Sequence, residues 1–247
     1  MTRVLKITLE YDGTAYGGWQ RQINARSVQQ ELETVLRDMT KETELKVQGA
    51  GRTDKGVHAL GQVASCQTQS TIPLYGFLRG LNTLLPSDIS VRSVEDAPEG
   101  FNARFDARGK RYRYRILNQP PRSAVRDRYV WHIPAPQLDL ARMQAAVEPL
   151  RGRHDFAAFR AADCERNTTE RTLSRIDVQR VDDEIVVEVE GDAFLKNMVR
   201  IIVGTLCEAG RGELDAAGMR DILEARDRTR AGMTAPAHGL YLVQVFY

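Results

Sequence analysis

The sequence predicts an α+β protein, and three observations carry that prediction. Polar and apolar residues alternate with period two at the start of the chain. Apolar residues recur at helical spacing soon after. The resulting order of strands and helices recurs in the second half of the 247 residues with one added helix.

Leu5, Ile7, Leu9 and Tyr11 alternate with Lys6, Thr8 and Glu10, the pattern of a strand with one face buried. The turn-rich DGTAYGGW follows. Ser27 with Gln30 three residues later forms a capping-box signature, and Val28, Leu32, Val35, Leu36 and Met39 then lie on one helical face. Residues Glu44 to Ala50 and Gln62 to Thr68 read as two strands flanking a glycine-rich loop. Leu74, Phe77, Leu78, Leu81 and Leu85 repeat at helical spacing before the strand-like DISVRSV. The order βαββαβ is the split-βαβ, ferredoxin-like (RRM-like) unit, an antiparallel sheet with helices on one face.

The second half repeats the plan. Tyr112, Tyr114 and Ile116 alternate with Arg111, Arg113 and Arg115 as a strand, and Asp139 can cap a helix carrying Leu140, Met143, Val147 and Leu150. Leu173 to Gln179 and Glu184 to Glu190 form a predicted hairpin turning at Asp182 and Asp183. Helices over about Leu195 to Ala209, stopped by Gly210, and Asp215 to Ala225 lead to a closing strand, GLYLVQVFY. Two ferredoxin-like halves are therefore expected, residues 1–106 and 107–247, although no Gly/Ser/Pro linker marks the boundary. Their sheets are expected to join around a central cleft, the usual place for a ligand.

Apolar residues make up 42% of the chain and charged residues 28%, with no run long enough to span a bilayer and no basic-then-apolar leader, so a cytoplasmic protein is expected. Cys66, Cys164 and Cys207 are odd in number and far apart, which excludes a disulfide framework and a Cys-x-x-Cys knuckle. The four histidines do not pair at helical spacing and no carboxylate cluster has ligand spacing, so no metal is expected. Net charge is only +2, yet from Arg104 to Arg128 nine basic residues face two acids, a local balance of +7. Such a run is a solvated face or a polyanion-binding surface.

The loop GAGRTDKGVHA, Gly49 to Ala59, concentrates the chemistry. Its glycines permit tight turns and close approach. If the segment is extended, Arg52 and Asp54 project to one side, where the guanidinium favours the ionised carboxylate. Asp54 is then either a nucleophile or an ordinary turn residue. The spacing matches neither a Walker loop nor a dinucleotide fingerprint, so no mononucleotide site is predicted. In KRYRYRI the tyrosines suit stacking on an unpaired base and the arginines suit phosphate; alternatively the tyrosines are core residues beside Ile116, and one of them is expected to be. Arg200, within FLKNMVRIIVG, either snorkels to the surface or pairs with a buried acid such as Asp54.

Seven motifs in order, YDGTAYGGWQRQ, AGRTDKGVHA, LNTLLPSDISV, FNARFDARGKRYRYRI, HDFAAF, FLKNMVRIIVGTL and APAHGLYL, run from Tyr11 to Leu242. Together they closely resemble the tRNA pseudouridine synthases of the TruA family, and the resemblance covers essentially the whole chain. It implies that Asp54 is the catalytic nucleophile and that Arg52 engages the RNA backbone or target nucleotide. It further implies that Tyr112 stacks on the flipped uracil, with a role in proton transfer considered, that Arg200 is the basic partner of Asp54, and that Leu240 is an apolar wall for the base. Tyr114 then becomes the packing residue. Lys55 occupies a variable position in the motif and adds charge beside the acid; with Arg111 and Arg113 it is a candidate RNA contact. The implied reaction detaches uracil, turns it and rejoins it through C5, an isomerisation without cofactor or metal. The implied partners are the 3′ side of the tRNA anticodon stem-loop and a second copy of the chain in a homodimer. The alternatives are a catalytically silent RNA-binding module and a pseudouridine synthase with a different target position.

Overall fold

In the computed structural model, which describes residues 2–164 and 168–247, the opening alternation forms β1 (Arg3–Tyr11), with Leu5, Ile7 and Leu9 fully buried. Helix α1 (Val28–Thr40) begins where Ser27 Oγ accepts the Gln30 N–H and ends at Lys41 in the left-handed region, φ 63°. It buries Val28, Leu32 and Leu36. β2 is only Gln48–Gly49, much shorter than the strand predicted from Glu44. The reason lies in another element: the Val47 N–H donates to Glu33 Oε1 and its carbonyl accepts from Gln29 Nε2, so side chains of α1 take the bonds a strand partner would have made. β3 (His58–Thr68), α2 (Leu74–Leu84) and β4 (Ile89–Ala97) follow.

Beyond them lie β5 (Gly109–Leu117), β6 (Trp131–His132), α3 (Leu140–Val147), β7 (Gly152–Asp155), β8 (Glu170–Val181) and β9 (Glu184–Gly191). The chain closes with α4 (Met198–Arg211), α5 (Ala216–Ala225) and β10 (Leu240–Phe246). Asp139 caps α3 as its sequence position suggests, and Asp215 caps α5. The expected stop at Gly210 is corrected. Helix α4 runs through Gly210 and ends at Gly212, φ 81°. Gly210 is instead a contact glycine: a Cβ there would lie 3.1 Å from Leu138 Cβ and from Met143 Cγ. Short β6 and β7 carry no period-two pattern and were not foreseen.

The chain folds as an α+β protein in two compact units, one running to Arg108 and including Tyr241–Tyr247, the other Gly109–Leu240. In the first, β1 is central, antiparallel to β3 on one side and β4 on the other, with Ile7 opposite Ala64 and Val94. β2 lies antiparallel on β3, while Tyr241 and Leu242 of β10 pair in parallel with His58 and Ala59. Leu5, Ile7, Leu9, Leu32, Phe77 and Leu81, all fully buried, make its core, each worth roughly 1.5–3 kcal/mol of burial.

In the second unit β5, β9, β8 and β7 pair in that order, all antiparallel, and β6 adds in parallel to β5. The hairpin joining β8 to β9 turns at Asp182 and Asp183, with Asp182 at φ 54°, a conformation a short polar residue tolerates. Tyr114, Ile116, Val187, Ile176, Met143 and Ile202 form its core.

Candidate active site

The turn bearing Asp54 is built by backbone bonds before any side chain acts. The Val57 N–H donates to the Asp54 carbonyl at 3.1 Å, with Gly56 at φ 78° supplying the left-handed position of the turn. Asp54 bridges antiparallel to Gly18, and the Trp19 N–H donates to the Thr53 carbonyl at 3.1 Å. Gly18 has φ 113° and sits so close that a Cβ would meet the Thr53 oxygen at 2.5 Å. Only glycine permits this clamp. Below it, Tyr11 and Thr53 share a buried hydroxyl–hydroxyl bond of 2.8 Å, and burial pushes the Tyr11 phenol up to about 12. Asp54, next to Thr53, is half-buried, and Lys55 beside it is exposed.

Arg52 is exposed but steered. Its Nε donates to Gln20 Oε1 at 3.2 Å, Gln20 Nε2 donates to Gln29 Oε1 at 2.8 Å, and Gln29 Nε2 reaches Glu33 Oε1 and the Val47 carbonyl. The guanidinium is thereby linked to buried polar groups of α1. On the other side of the turn, buried His58 stacks on Tyr241 with ring centres 4.9 Å apart. Its Nδ1 lies 3.1 Å from both the Gly13 N–H and Asp12 Oδ1. The neutral ring accepts from Gly13, and a protonated ring donates to Asp12. Gln20, Gln29, Thr53, Asp12 and His58 were missed by sequence reasoning. The DG dipeptide after β1 was the available signal, since Asp12 caps the turn at Gly13–Ala15.

The remaining candidates lie in the second unit. Tyr112, 8% exposed, packs edge-on against Phe194 with centroids 4.9 Å apart. Tyr114 is fully buried and donates its hydroxyl to the Pro236 carbonyl at 2.7 Å, and burial holds its phenol well above the usual tyrosine range. Of the two, Tyr114 is the deeper core residue, wedged where a Cβ on Gly239 would strike its ring. Arg200 is half-buried; its Nε donates to the Ala235 carbonyl at 2.7 Å and Nη1 to Asn197 Oδ1 at 2.8 Å. Those two bonds orient the guanidinium rather than letting it snorkel. Leu240, 6% exposed, begins β10, and neighbouring His238 has its pKa lowered by burial.

The arginine run is more compensated than its sequence suggests. Arg111 pairs with Glu190 at 2.6 Å, Arg113 with Glu188 at 2.6 Å and Arg115 with Glu184 at 2.7 Å, because strand pairing sets β5 against an acidic β9. Arg126 holds Asp183 and Glu184. Among the described residues no cluster of three or more His, Cys, Asp or Glu is placed to hold a metal ion, and no helix is long and apolar enough to cross a membrane.

A carboxylate on a clamped turn with a steered cation, Arg52, in the same loop of an α+β scaffold fits an enzyme acting on a polar substrate, and comparison with known proteins specifies which. A family model described as tRNA pseudouridine synthase matches residues 7–106 and 146–247, and the chain belongs to that family of isomerases. The tRNA pseudouridine synthase A of Geotalea uraniireducens (strain Rf4) is 47% identical over 245 residues, 99% of this chain and 100% of the relative. That of Acetivibrio thermocellus is 46% identical over the same shares. Among solved structures, a Cas6 variant aligns over 98% of both chains at 16% identity with a TM-score of 0.22, too low to bear on fold or function.

Proposed function

We propose that this chain converts uridine to pseudouridine on the 3′ side of the tRNA anticodon stem-loop, in the cytoplasm, with Asp54 as the catalytic carboxylate. The observation that carries the reading is the clamp on Asp54: a half-buried acid displayed by a turn that Gly18, Trp19, Thr53 and Tyr11 make rigid. Preorganisation of that kind is what a reacting group requires.

In the proposed reaction the target leaves the stack, and stacking on Tyr112 with an apolar wall from Leu240 offsets the few kcal/mol of unstacking. The N1–C1′ bond breaks, the base turns, and C5–C1′ forms; the C5 proton departs and N1 takes one up, so nothing is oxidised. Asp54 acts ionised, by attack at C6, attack at C1′ or assistance to a glycal. Arg200 of the second unit is its proposed ion-pair partner, a role supported by the two bonds that orient its guanidinium. Arg52 and Lys55 are proposed as RNA contacts. Arg111 and Arg113 hold a lesser place, because Glu190 and Glu188 already engage them.

Both units are proposed to be ferredoxin-like. The antiparallel order β4, β1, β3, β2 in the first and β5, β9, β8 in the second support that reading. A homodimer is also proposed, offering two surfaces to one RNA. The deciding experiment incubates purified protein with unmodified tRNA and maps the modified positions. Asp54→Asn is expected to abolish pseudouridine formation with tRNA affinity retained, and undiminished activity in that variant rejects the assignment.

A further inference from the structure

The turn at Asn102–Asp106 holds an aromatic side chain out in solvent. Asn102 Oδ1 accepts the N–H groups of Arg104 at 2.9 Å and Phe105 at 3.2 Å, and the Asn102 N–H donates to Asp106 Oδ2 at 2.7 Å. The Asp106 N–H returns to the Asn102 carbonyl at 3.1 Å. Ala103, fully buried at the centre, fastens the turn to the body: its N–H donates to Ser65 Oγ at 2.9 Å and its carbonyl accepts Tyr247 Oη at 2.8 Å. Phe101 packs on the Tyr247 ring, centroids 5.2 Å apart.

Despite this anchoring, Phe105 is 76% exposed, with the Arg104 guanidinium 5.6 Å from its ring centre. A turn this rigid in which Phe101 and Ala103 point inward presents Phe105 outward by construction. The Asp106 carboxylate is occupied within the turn, whereas Arg104 and Arg108 are exposed cations on the same segment. A flat aromatic face flanked by guanidinium is the chemistry that stacks on an unpaired nucleobase and steadies its phosphate.

We infer that Arg104 and Phe105 form a stacking platform for an unpaired tRNA base other than the target uridine. The inference rests on the tRNA-modifying reading above. Its position argues for a remote base: Ser65, to which the turn is tied, lies along β3 from His58, and residues 58 to 65 extended at ~3.3 Å per residue span roughly 20 Å from the Asp54 turn. The platform is therefore assigned a base well away from the target uridine, of the kind full-length tRNA supplies.

The test measures kcat, KM and equilibrium affinity on full-length unmodified tRNA and on the isolated anticodon stem-loop. Phe105→Ala is expected to weaken full-length tRNA binding and raise its KM by about ten-fold, with kcat unchanged and the stem-loop values unmoved. Phe105→Trp restores the wild-type values and Phe105→Leu does not, which separates stacking from mere apolarity and holds even if the alanine variant folds poorly. Equal losses on both substrates, full activity in Phe105→Leu, or a changed sedimentation coefficient in the variants, which marks a contact between copies, overturns the platform. Affinity for tRNA is read independently of turnover, so an inactive wild-type protein defeats the catalytic reading while the platform is still judged by binding.

Discussion

The phenolic hydroxyl of Tyr11 lies 2.8 Å from Oγ1 of Thr53, tying the last residue of β1 to the residue just before Asp54. Burial raises the Tyr11 pKa from 10.0 to about 12, so the folded state favours the neutral phenol. This stabilisation is fully present below pH 10, falls as pH rises from 10 to about 12 and levels off above, a change of about 3 kcal/mol. Tyr11→Phe is expected to cost about 1 kcal/mol at neutral pH and to decline less between pH 10 and 12. Denaturant titrations across that window, compared between the two proteins, isolate Tyr11 from the buried Cys66 and Cys207 thiols, which burial likewise pushes up to about 12.

Gly18 answers to two constraints at once, its positive φ and the Thr53 carbonyl facing it. Gly18→Ala is expected to destabilise the protein by about 2 kcal/mol or more and to lower kcat further than the stability loss accounts for, because the Asp54 turn shifts. A thermal melt together with single-turnover kinetics at a temperature where the variant is fully folded checks this. Wild-type kcat in the folded variant rules out the clamp as a catalytic support.

Glu184, buried at 6% exposure, accepts from Arg115 and Arg126. Glu184→Ala removes one acceptor from each guanidinium, while Arg126 keeps Asp183. Since each is about a third exposed, the expected loss is well below the cost of breaking a fully buried pair. Urea unfolding gives the number, and a loss near zero shows that water replaces the carboxylate.

Binding of tRNA is expected to weaken steeply with salt, log affinity falling linearly with log salt concentration. Arg52→Ala is expected to reduce that slope by about 1, the signature of one lost phosphate contact. Gln20→Ala, which removes the acceptor that steers Arg52 Nε, is expected to weaken affinity with the slope kept. Fluorescence anisotropy over a salt series distinguishes the two.

Elements with a strong local period were readable in the sequence. The β1 alternation, the capped starts of α1 and α3, the start of α5, and the hairpin at Asp182 and Asp183 all appear near their expected places, because caps and turns are decided by neighbouring residues. Prediction faltered where partners distant in sequence intervened. Val47 spends its backbone bonds on α1 side chains and shortens β2, and Gly210 yields to the packing of Leu138 and Met143 instead of ending α4.

The motif loop was conspicuous from composition alone, yet nothing local distinguished a reacting carboxylate at position 54 from a turn aspartate. By itself the sequence determined the α+β class, most element boundaries and the membership implied by seven ordered motifs. Tertiary structure alone decided that Gly18 clamps Asp54, that Gln20 steers Arg52 and that Glu184, Glu188 and Glu190 compensate the β5 arginines. Those relationships join residues tens of positions apart, and a charge or a glycine acquires its role only when folding sets it at bonding distance from a particular partner.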